Sequence, residues 1–288
     1  MKSVLAVLCY ILFFIPASFA QETGTINLSK GQKYIVNTTM KTTSATEMMG
    51  QTIDTKADVT SDYMIEVFNV LKDKYDLTNT LTKITMNASA MGQDMNFDSD
   101  NEEDLNGEMG KNLVGYINVP KKVEMDKSGK ITILEIADTA ASTNSEMDNP
   151  GSMMLEQIMG DPEQFGYGAK IAFQALPKNL KAGTSWTDSS SGEGIKKMTK
   201  YTLKEIKGNV ASLLIDGTLA SEMKTEMQGM EILTKTTGKF NGEQEVDLKS
   251  GVIKGSTVNT EATGTVTIMG QEVPNTSKIV ATTSVKLM

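Results

Sequence analysis

Alternation of apolar and polar residues with a period of two runs through most of the chain and predicts β-strands. Near the end of the sequence, Ile279, Ala281 and Val285 fall on one face, while Thr282 and Lys286 fall on the other. Threonine is abundant at such positions, as is typical of half-exposed strands. The pattern predicts a mainly β, antiparallel fold.

The landmarks between these strands recur in the same order in two parts of the chain. Lys30-Gly31-x-x-Tyr34 opens the first part, and Lys181-x-Gly183-x-x-Trp186 opens the second. Each part continues with a lysine turn, a Met/Gly/Gln turn and an Asp-Ser-Gly turn. This order predicts an antiparallel meander repeated twice, as a half-open barrel or as two packed sheets. We expect a single β domain over residues 21–288, with repeats of about residues 24–137 and 181–288.

Helical signals interrupt the strand pattern at two places. Ser99-x-x-Glu102 has the form of a capping box, and apolar residues follow it at helical spacing. A proline before and a glycine after bracket a second helix, Gly151–Met159. We therefore expect one or two short helices, the second within a helical connection of residues 141–178 between the repeats.

Turn composition predicts that the two ends of the sheet differ. Gly50-Gln51, Gly92-Gln93 and Gly270-Gln271 suit hairpins with glycine at the first central position of the turn. Successive turns of an up-and-down meander alternate between the two ends, so these turns and Gln228-Gly229 should share one end. Lysine-rich turns such as Lys72–Lys74 should then lie at the other. We expect a methionine-rich pole and a lysine-rich pole.

Residues 1–20 have the features of a signal peptide. Lys2 precedes the apolar run Val4–Phe14, and Ser18-Phe19-Ala20 has the small-x-small form of a cleavage site. The apolar run is too short to span a bilayer. We expect an exported protein, periplasmic or extracellular, that is soluble after cleavage near Ala20 and has no transmembrane segment in its mature chain.

The residue types that the chain lacks narrow its chemistry. It has no histidine and no arginine, and its one cysteine, Cys9, lies in the apolar N-terminal run. Most nucleophilic, zinc and phosphoryl chemistry uses one of these side chains. We therefore expect no enzymatic activity, no cofactor and no metal site. The net charge of −8 repels nucleic acid, so we expect no nucleic-acid partner.

Methionine is over-used, with 20 residues against a single tryptophan. It can serve as core filler, or as a pliable apolar surface for lipids or protein partners. A third interpretation is capture of monovalent copper by Met223, Met227 and Met230, although on one continuous strand Met230 would face away from the other two. For the acidic run Asp98–Asp104 we weigh calcium binding against an acidic helix start.

The signal peptide, the doubled meander and the recurring Met-Gly-Gln and Asp-x-Ser-Gly turns resemble an uncharacterised family of exported Bacteroidota proteins, a domain of unknown function. That resemblance implies the fold and export but assigns no activity and no functional residue. In architecture alone, the pattern is also similar to the half-open barrels of periplasmic lipoprotein carriers. This second resemblance implies a concave apolar face that holds acyl chains.

These observations favour a non-catalytic exported envelope protein that binds a lipid or other apolar ligand on a methionine-rich surface. The alternative is a structural or protein-interaction β protein that contacts envelope partners and has no ligand cavity. A continuous apolar cavity of several hundred cubic ångströms would favour the first function, and a solidly packed interior the second. The predicted ligand contacts are Met49, Met91, Met153, Met154, Ile158, Met227 and Met269.

Overall fold

In the computed structural model, twelve strands form one antiparallel sheet that does not close on itself. The structure describes residues 24–288 except 49, 91, 134–167, 193, 228–229 and 269. The strands are β1 (Lys33–Met48), β2 (Gln51–Val70), β3 (Lys74–Ala90), β4 (Gln93–Asp98), β5 (Lys121–Asp126), β6 (Ile131–Ile133), β7 (Ser185–Gly192), β8 (Ile195–Lys207), β9 (Val210–Met227), β10 (Met230–Asp247), β11 (Ile253–Ile268) and β12 (Gln271–Leu287). The described helices are α1 (Glu102–Asn106), α2 (Glu108–Leu113) and α3 (Gly168–Ala172).

The first and last strands meet at the centre of the sheet. The strand order is β6-β5-β3-β2-β1-β12-β11-β10-β9-β8-β7, with β4 also paired to β3. The β1–β12 register runs from Tyr34 opposite Leu287 to Thr46 opposite Asn275. The predicted mainly β antiparallel meander is confirmed. It forms one open sheet and not two packed sheets.

The two halves of the sheet follow the same strand path. β7, β8 and β9 occupy the places that β1, β2 and β3 occupy in the other half. β10 pairs with the full length of β9. On β3, by contrast, β4 pairs with residues 85–90 and β5 with residues 74–79. Helices α1 and α2 therefore lie in an insertion that divides one strand position into two.

The turns separate into two poles as the sequence predicts. Met48 is opposite Gln51, Ala90 is opposite Gln93, and Ile268 is opposite Gln271, so these hairpins share one end of the sheet. The lysine-containing turns between β2 and β3, β5 and β6, β8 and β9, and β10 and β11 lie at the other end. We call these ends the methionine pole and the lysine pole.

The predicted position of glycine within the hairpin turns is wrong. Gly50, Gly92 and Gly270 each come directly before the first residue of the next strand, so they occupy the second central position. Their φ values are +78°, +77° and +78°, which is the left-handed region that glycine enters without a steric penalty.

The main core lies at the lysine pole, where segments outside the sheet cover its inner face. Ile26 is fully buried; its N–H donates to the Lys127 carbonyl, and its own carbonyl accepts a hydrogen bond from the Tyr75 hydroxyl, at 2.8 and 2.6 Å. Phe173, the residue directly after α3, packs edge-on against Tyr34 with ring centroids 5.4 Å apart. Burial of these large apolar side chains stabilises this end of the sheet.

The helical region after β4 differs from its predicted form. Asn101, not Ser99, caps α1, since its side chain accepts the Glu103 N–H. The Ser99 hydroxyl instead accepts the Ile84 N–H at 2.9 Å. Gly107 ends α1 and begins α2, so one predicted helix is two. The predicted helix Gly151–Met159 lies outside the described residues.

Candidate ligand-binding cavity

A cavity of about 1390 Å³ lies on the inner face of the sheet, between the core and the methionine pole. Eight strands frame it, from β7 through β12 and on to β1 and β2. On each strand three consecutive residues line the cavity, and the middle one belongs to the inner face. These eight middle residues are direct neighbours in register, and we call them the inner row. The inner row is Ser190, Lys197, Leu219, Gly238, Ala262, Ser277, Ser44 and Thr55.

Small side chains make this part of the inner face hollow. Gly238, Ala262, Ser277 and Ser44 occupy four successive strands at the middle of the inner row. They extend little from the sheet, so they leave volume where the core positions of the same strands carry large side chains. A second hollow of about 750 Å³ continues toward the methionine pole, where Ser221 is among its lining residues.

The aromatic ring of Phe240 lies at the end of the cavity nearest the core, and it fits there because residue 217 is a glycine. Phe240 on β10 is buried, and its register partner on β9 is Gly217. A Cβ atom added to Gly217 would lie 2.2 Å from Cζ of the Phe240 ring. The ring therefore extends across β9 toward β8, an arrangement that any side chain at position 217 would obstruct.

At the β8 edge of the cavity, the ammonium of Lys197 lies over that ring. Its Nζ is 4.9 Å from the centroid of Phe240, within the range of a cation–π contact. Burial lowers the pKa of Lys197, and the charge of Asp188 on β7 opposes this effect. The side chain keeps contact with solvent although burial acts on its charge. Solvent contact and a pKa lowered by burial occur together in an open concavity, because the protein displaces part of the bulk water around the group without sealing the site.

The single tryptophan also lies on this inner face. Trp186 on β7 stacks on its register partner Tyr201, with ring centroids 5.4 Å apart and ring planes 22° apart. Burial raises the pKa of Tyr201, and the negative charge of Asp188 raises it further. Asp188 is the next inner-face residue of β7, between Trp186 and the inner row. The tryptophan thus shares the face that lines the cavity, two inner-face positions along β7 from Ser190 of the inner row.

The charges on the sheet are distributed unequally between its two faces. On the outer face, exposed salt bridges link neighbouring strands, among them Lys41–Asp58 at 3.1 Å and Lys278–Glu261 at 3.1 Å. Among the described residues of the inner row and of the rows directly above and below it, the charged residues are Asp188 and Lys197. The inner-face side chains of these rows are otherwise uncharged. The other charged residues along the cavity belong to the outer face: Asp54, Lys56, Lys196, Lys239, Glu261 and Lys278.

In the part of the chain that it describes, the structure does not place the predicted ligand contacts at the cavity. Met227 ends β9 opposite Met230 across the hairpin turn, so the two are register partners on adjacent strands. The objection to copper binding assumed instead that both lie on one continuous strand. The other predicted contacts lie outside the described residues: Met49, Met91, Met153, Met154, Ile158 and Met269.

Methionine has more than one structural role in the chain. Met86 and Met125 are fully buried in the core, as the filler interpretation expects. Met223 is 45% exposed and shares the inner face of β9 with Leu219, nearer the methionine pole. Met198 is 53% exposed and alternates with Lys197, so it belongs to the outer face. The described methionines are therefore divided between core and surface.

Sequence reasoning missed Lys197, Phe240 and the inner row. The available signal was the alternation of β8, in which Ile195, Lys197, Thr199 and Tyr201 share a face. Taken alone, a lysine in that series indicates an exposed edge strand. The register of eight strands is needed to show that its face lines a cavity.

The fold and the cavity define the molecule as a mainly β protein with an open antiparallel sheet that carries a cavity on its inner face. No helix among the described residues has the length and apolar character to cross a membrane. The chain belongs to the family of unknown function DUF6263, whose sequence model matches residues 72–253. No curated protein matches the chain.

Matches to solved structures have low sequence identity and low TM-scores. A structure titled for lipid–protein interactions in lipovitellin is 12% identical with a TM-score of 0.45, covering 88% of this chain and 25% of lipovitellin. An outer membrane channel from Pseudomonas putida F1 is 8% identical with a TM-score of 0.27, covering 91% of this chain and 98% of the channel. This chain thus spans a quarter of the lipovitellin chain. None of these proteins is a lipoprotein carrier, and the similarity to carriers stays an architectural analogy.

Proposed function

We propose that this protein binds an elongated apolar molecule, such as a lipid tail, in the cavity between the core and the methionine pole. The observation that carries the proposal is the cavity itself, at about 1390 Å³. Ligand pockets commonly measure about 300–1,000 Å³. The alternative of a structural protein without a ligand cavity predicted a packed interior, and the cavity favours the ligand-binding function.

The composition of the cavity wall supports a ligand that is mostly apolar. Leu219, Ala262 and the methyl group of Thr55 offer apolar contacts, while serine hydroxyls can stay hydrogen-bonded to backbone or water. Met223, an exposed inner-face residue nearer the methionine pole, can adapt its thioether side chain to chains of different length. The wall is more polar than the apolar surface that the sequence predicts, so the ligand should be amphiphilic.

We further propose that the protein is non-catalytic and acts in the cell envelope. The lack of histidine in the chain supports the first part. The signal-like segment of residues 1–20 supports the second. In this function the sheet would hold the molecule and release it unchanged.

A pair of variants at neighbouring positions tests the proposal. Ser277 is in the inner row, and Thr276 is its exposed neighbour on the outer face. Ser277→Trp should fill the cavity and weaken dodecanol binding by about tenfold or more, because the added ring occupies the ligand volume. Thr276→Trp adds the same ring outside and should leave affinity unchanged. Binding is measured by isothermal titration calorimetry, and circular dichroism checks the fold. Equal affinity in both variants, or no binding by the wild type, contradicts the proposal.

A further inference from the structure

We propose that the ligand carries a single carboxylate head and that Lys197 binds it, which makes the ligand class a long-chain carboxylic acid. This inference rests on the proposed function, because it assigns the head group of the molecule whose apolar part the cavity holds. Four observations support it: the register position of Lys197, its lack of a bound carboxylate, its support by Phe240, and the otherwise uncharged inner row.

The register places one ammonium in an otherwise uncharged inner row. Lys197 lies in the inner row beside Leu219 on one side and Ser190 on the other. The other inner-face charge in these rows, Asp188, is on the adjacent strand and one row closer to the core. On the inner face of these described rows, an anionic group on a ligand thus has one cation to approach.

Lys197 has no carboxylate partner in the part of the chain that the structure describes. No described carboxylate lies within 4.0 Å of its Nζ, and Asp188 acts on it only as a charge at longer range. Lys197 is exposed at the open cavity, so water solvates its ammonium in the free protein. A ligand carboxylate would supply the missing partner and strengthen the interaction, since the site is already partly desolvated.

Phe240 and Gly217 hold the ammonium where a ligand can reach it. The ring occupies the space over Gly217 and supports Nζ from the floor side at 4.9 Å. The opposite side of Nζ is therefore directed to the cavity. The long stem of Lys197 crosses the inner face, and the small residues Gly238 and Ala262 farther along the inner row leave room for an alkyl chain. The tail would then lie along the inner row, and the head beside the ammonium over Phe240, one row closer to the core.

Asp188 favours a singly charged head over a more highly charged one. Its carboxylate is close enough to affect the pKa of both Lys197 and Tyr201. A dianionic head would meet this like charge as well as the single ammonium, so a monocarboxylate suits the balance better. Removing the charge at Asp188 should therefore strengthen carboxylate binding.

Dodecanoate and dodecanol, which share an alkyl chain and differ in the head, test the inference on the full chain. The fluorescence of Trp186 reports binding, and circular dichroism reports folding. We expect the wild type to prefer dodecanoate and Lys197→Met to weaken dodecanoate binding about tenfold, as for loss of a hydrogen bond to a charged group. Dodecanol affinity should stay unchanged. Lys200→Met, an exposed lysine on the outer face of β8, is the matched control and should change neither. Asp188→Asn should tighten dodecanoate binding.

The outcomes separate this inference from the proposed function. If dodecanol and dodecanoate bind equally in the wild type and in Lys197→Met, the cavity binds apolar chains, but Lys197 does not bind the head group and the inference is wrong. If Lys197 only covers Phe240, the variant loses stability while the ratio of the two affinities is unchanged, and the inference is again wrong. If the wild type binds neither probe, the proposed function itself fails.

Discussion

At the residue scale, the cavity depends on where side chains are missing. Gly217 admits the ring of Phe240, and Gly238, Ala262 and Ser277 leave the middle of the inner row empty. Glycine within strands usually weakens them, because it packs no side chain and loses more backbone entropy on folding. Four of the glycines on β9, β10 and β11 instead lie on the cavity-facing side, at positions 217, 238, 242 and 264. At positions 242 and 264 an added Cβ would lie 2.1 Å from a backbone oxygen of the paired strand, so these two glycines allow the strands to approach closely.

Gly217→Ala is expected to destabilise the fold by about 1–3 kcal/mol, because the added methyl group overpacks against Phe240. The same change should weaken dodecanoate binding, since the displaced ring no longer supports Lys197. Urea denaturation monitored by Trp186 fluorescence measures the free energy of unfolding. Gly255→Ala is the control, because its nearest atom outside the neighbouring residues is 3.9 Å away. Similar stabilities for the two variants would contradict the packing argument.

At the element scale, two equivalent turns anchor the lysine pole. In the β5–β6 turn, Asp126 accepts hydrogen bonds from the N–H and hydroxyl of Ser128 at 2.8 and 2.6 Å. In the β10–β11 turn, Asp247 accepts from the N–H and hydroxyl of Ser250 at 2.9 and 2.8 Å. Residues 26 and 27 join both turns, because their N–H groups donate to the Lys127 and Ser250 carbonyls. The same arrangement, an aspartate that accepts hydrogen bonds from a serine of its turn, therefore occurs in both halves of the sheet where they bind residues 26 and 27.

These two carboxyl groups should make the protein sensitive to acid. Burial alone would raise the pKa of Asp126 and of Asp247, but the hydrogen bonds within each turn outweigh it and hold both pKa values below the ordinary range. The stabilisation is therefore complete above the unfolded pKa of about 3.9 and is lost as the pH falls through the folded values.

Thermal melts between pH 7 and pH 2 check this expectation. The double variant Asp126→Asn with Asp247→Asn keeps acceptor oxygens but cannot titrate, so its melting temperature should fall less on acidification. Asp94→Asn, at an exposed position of β4, should leave the wild-type acid dependence in place. An acid response in the double variant as steep as in the wild type would refute the role of these turns.

The elements that the sequence predicts well are those with a strong local signal. The strand alternation and the Asp-Ser-Gly turns have such signals, since period and turn chemistry involve residues close in the chain. Asn101 displaced Ser99 as the cap because the Ser99 hydroxyl accepts the N–H of Ile84, a residue 15 positions away. Local rules cannot anticipate a competing partner that distant.

At the scale of the whole molecule, the pairing of β1 with β12 makes one sheet from two similar halves. This contact brings Ser44 beside Ser277, so the inner row crosses from one half to the other. The cavity is lined by six strands of the second half, β7 to β12, and by β1 and β2 of the first. The sequence repeat predicts the two strand paths but not that the first and last strands become neighbours. For the same reason, it does not predict that Lys197 and Thr55 line one cavity.

The most direct test of this account is to locate a bound alkyl chain on the sheet. A dodecanoate analogue with a diazirine at the end of its chain is photolysed with the full protein, and mass spectrometry maps the labelled residues. We expect labels concentrated on inner-face positions of β9 to β12, such as Leu219 and Ala262. Labels confined to exposed apolar residues outside the cavity, such as Phe68 or Val114, would contradict it.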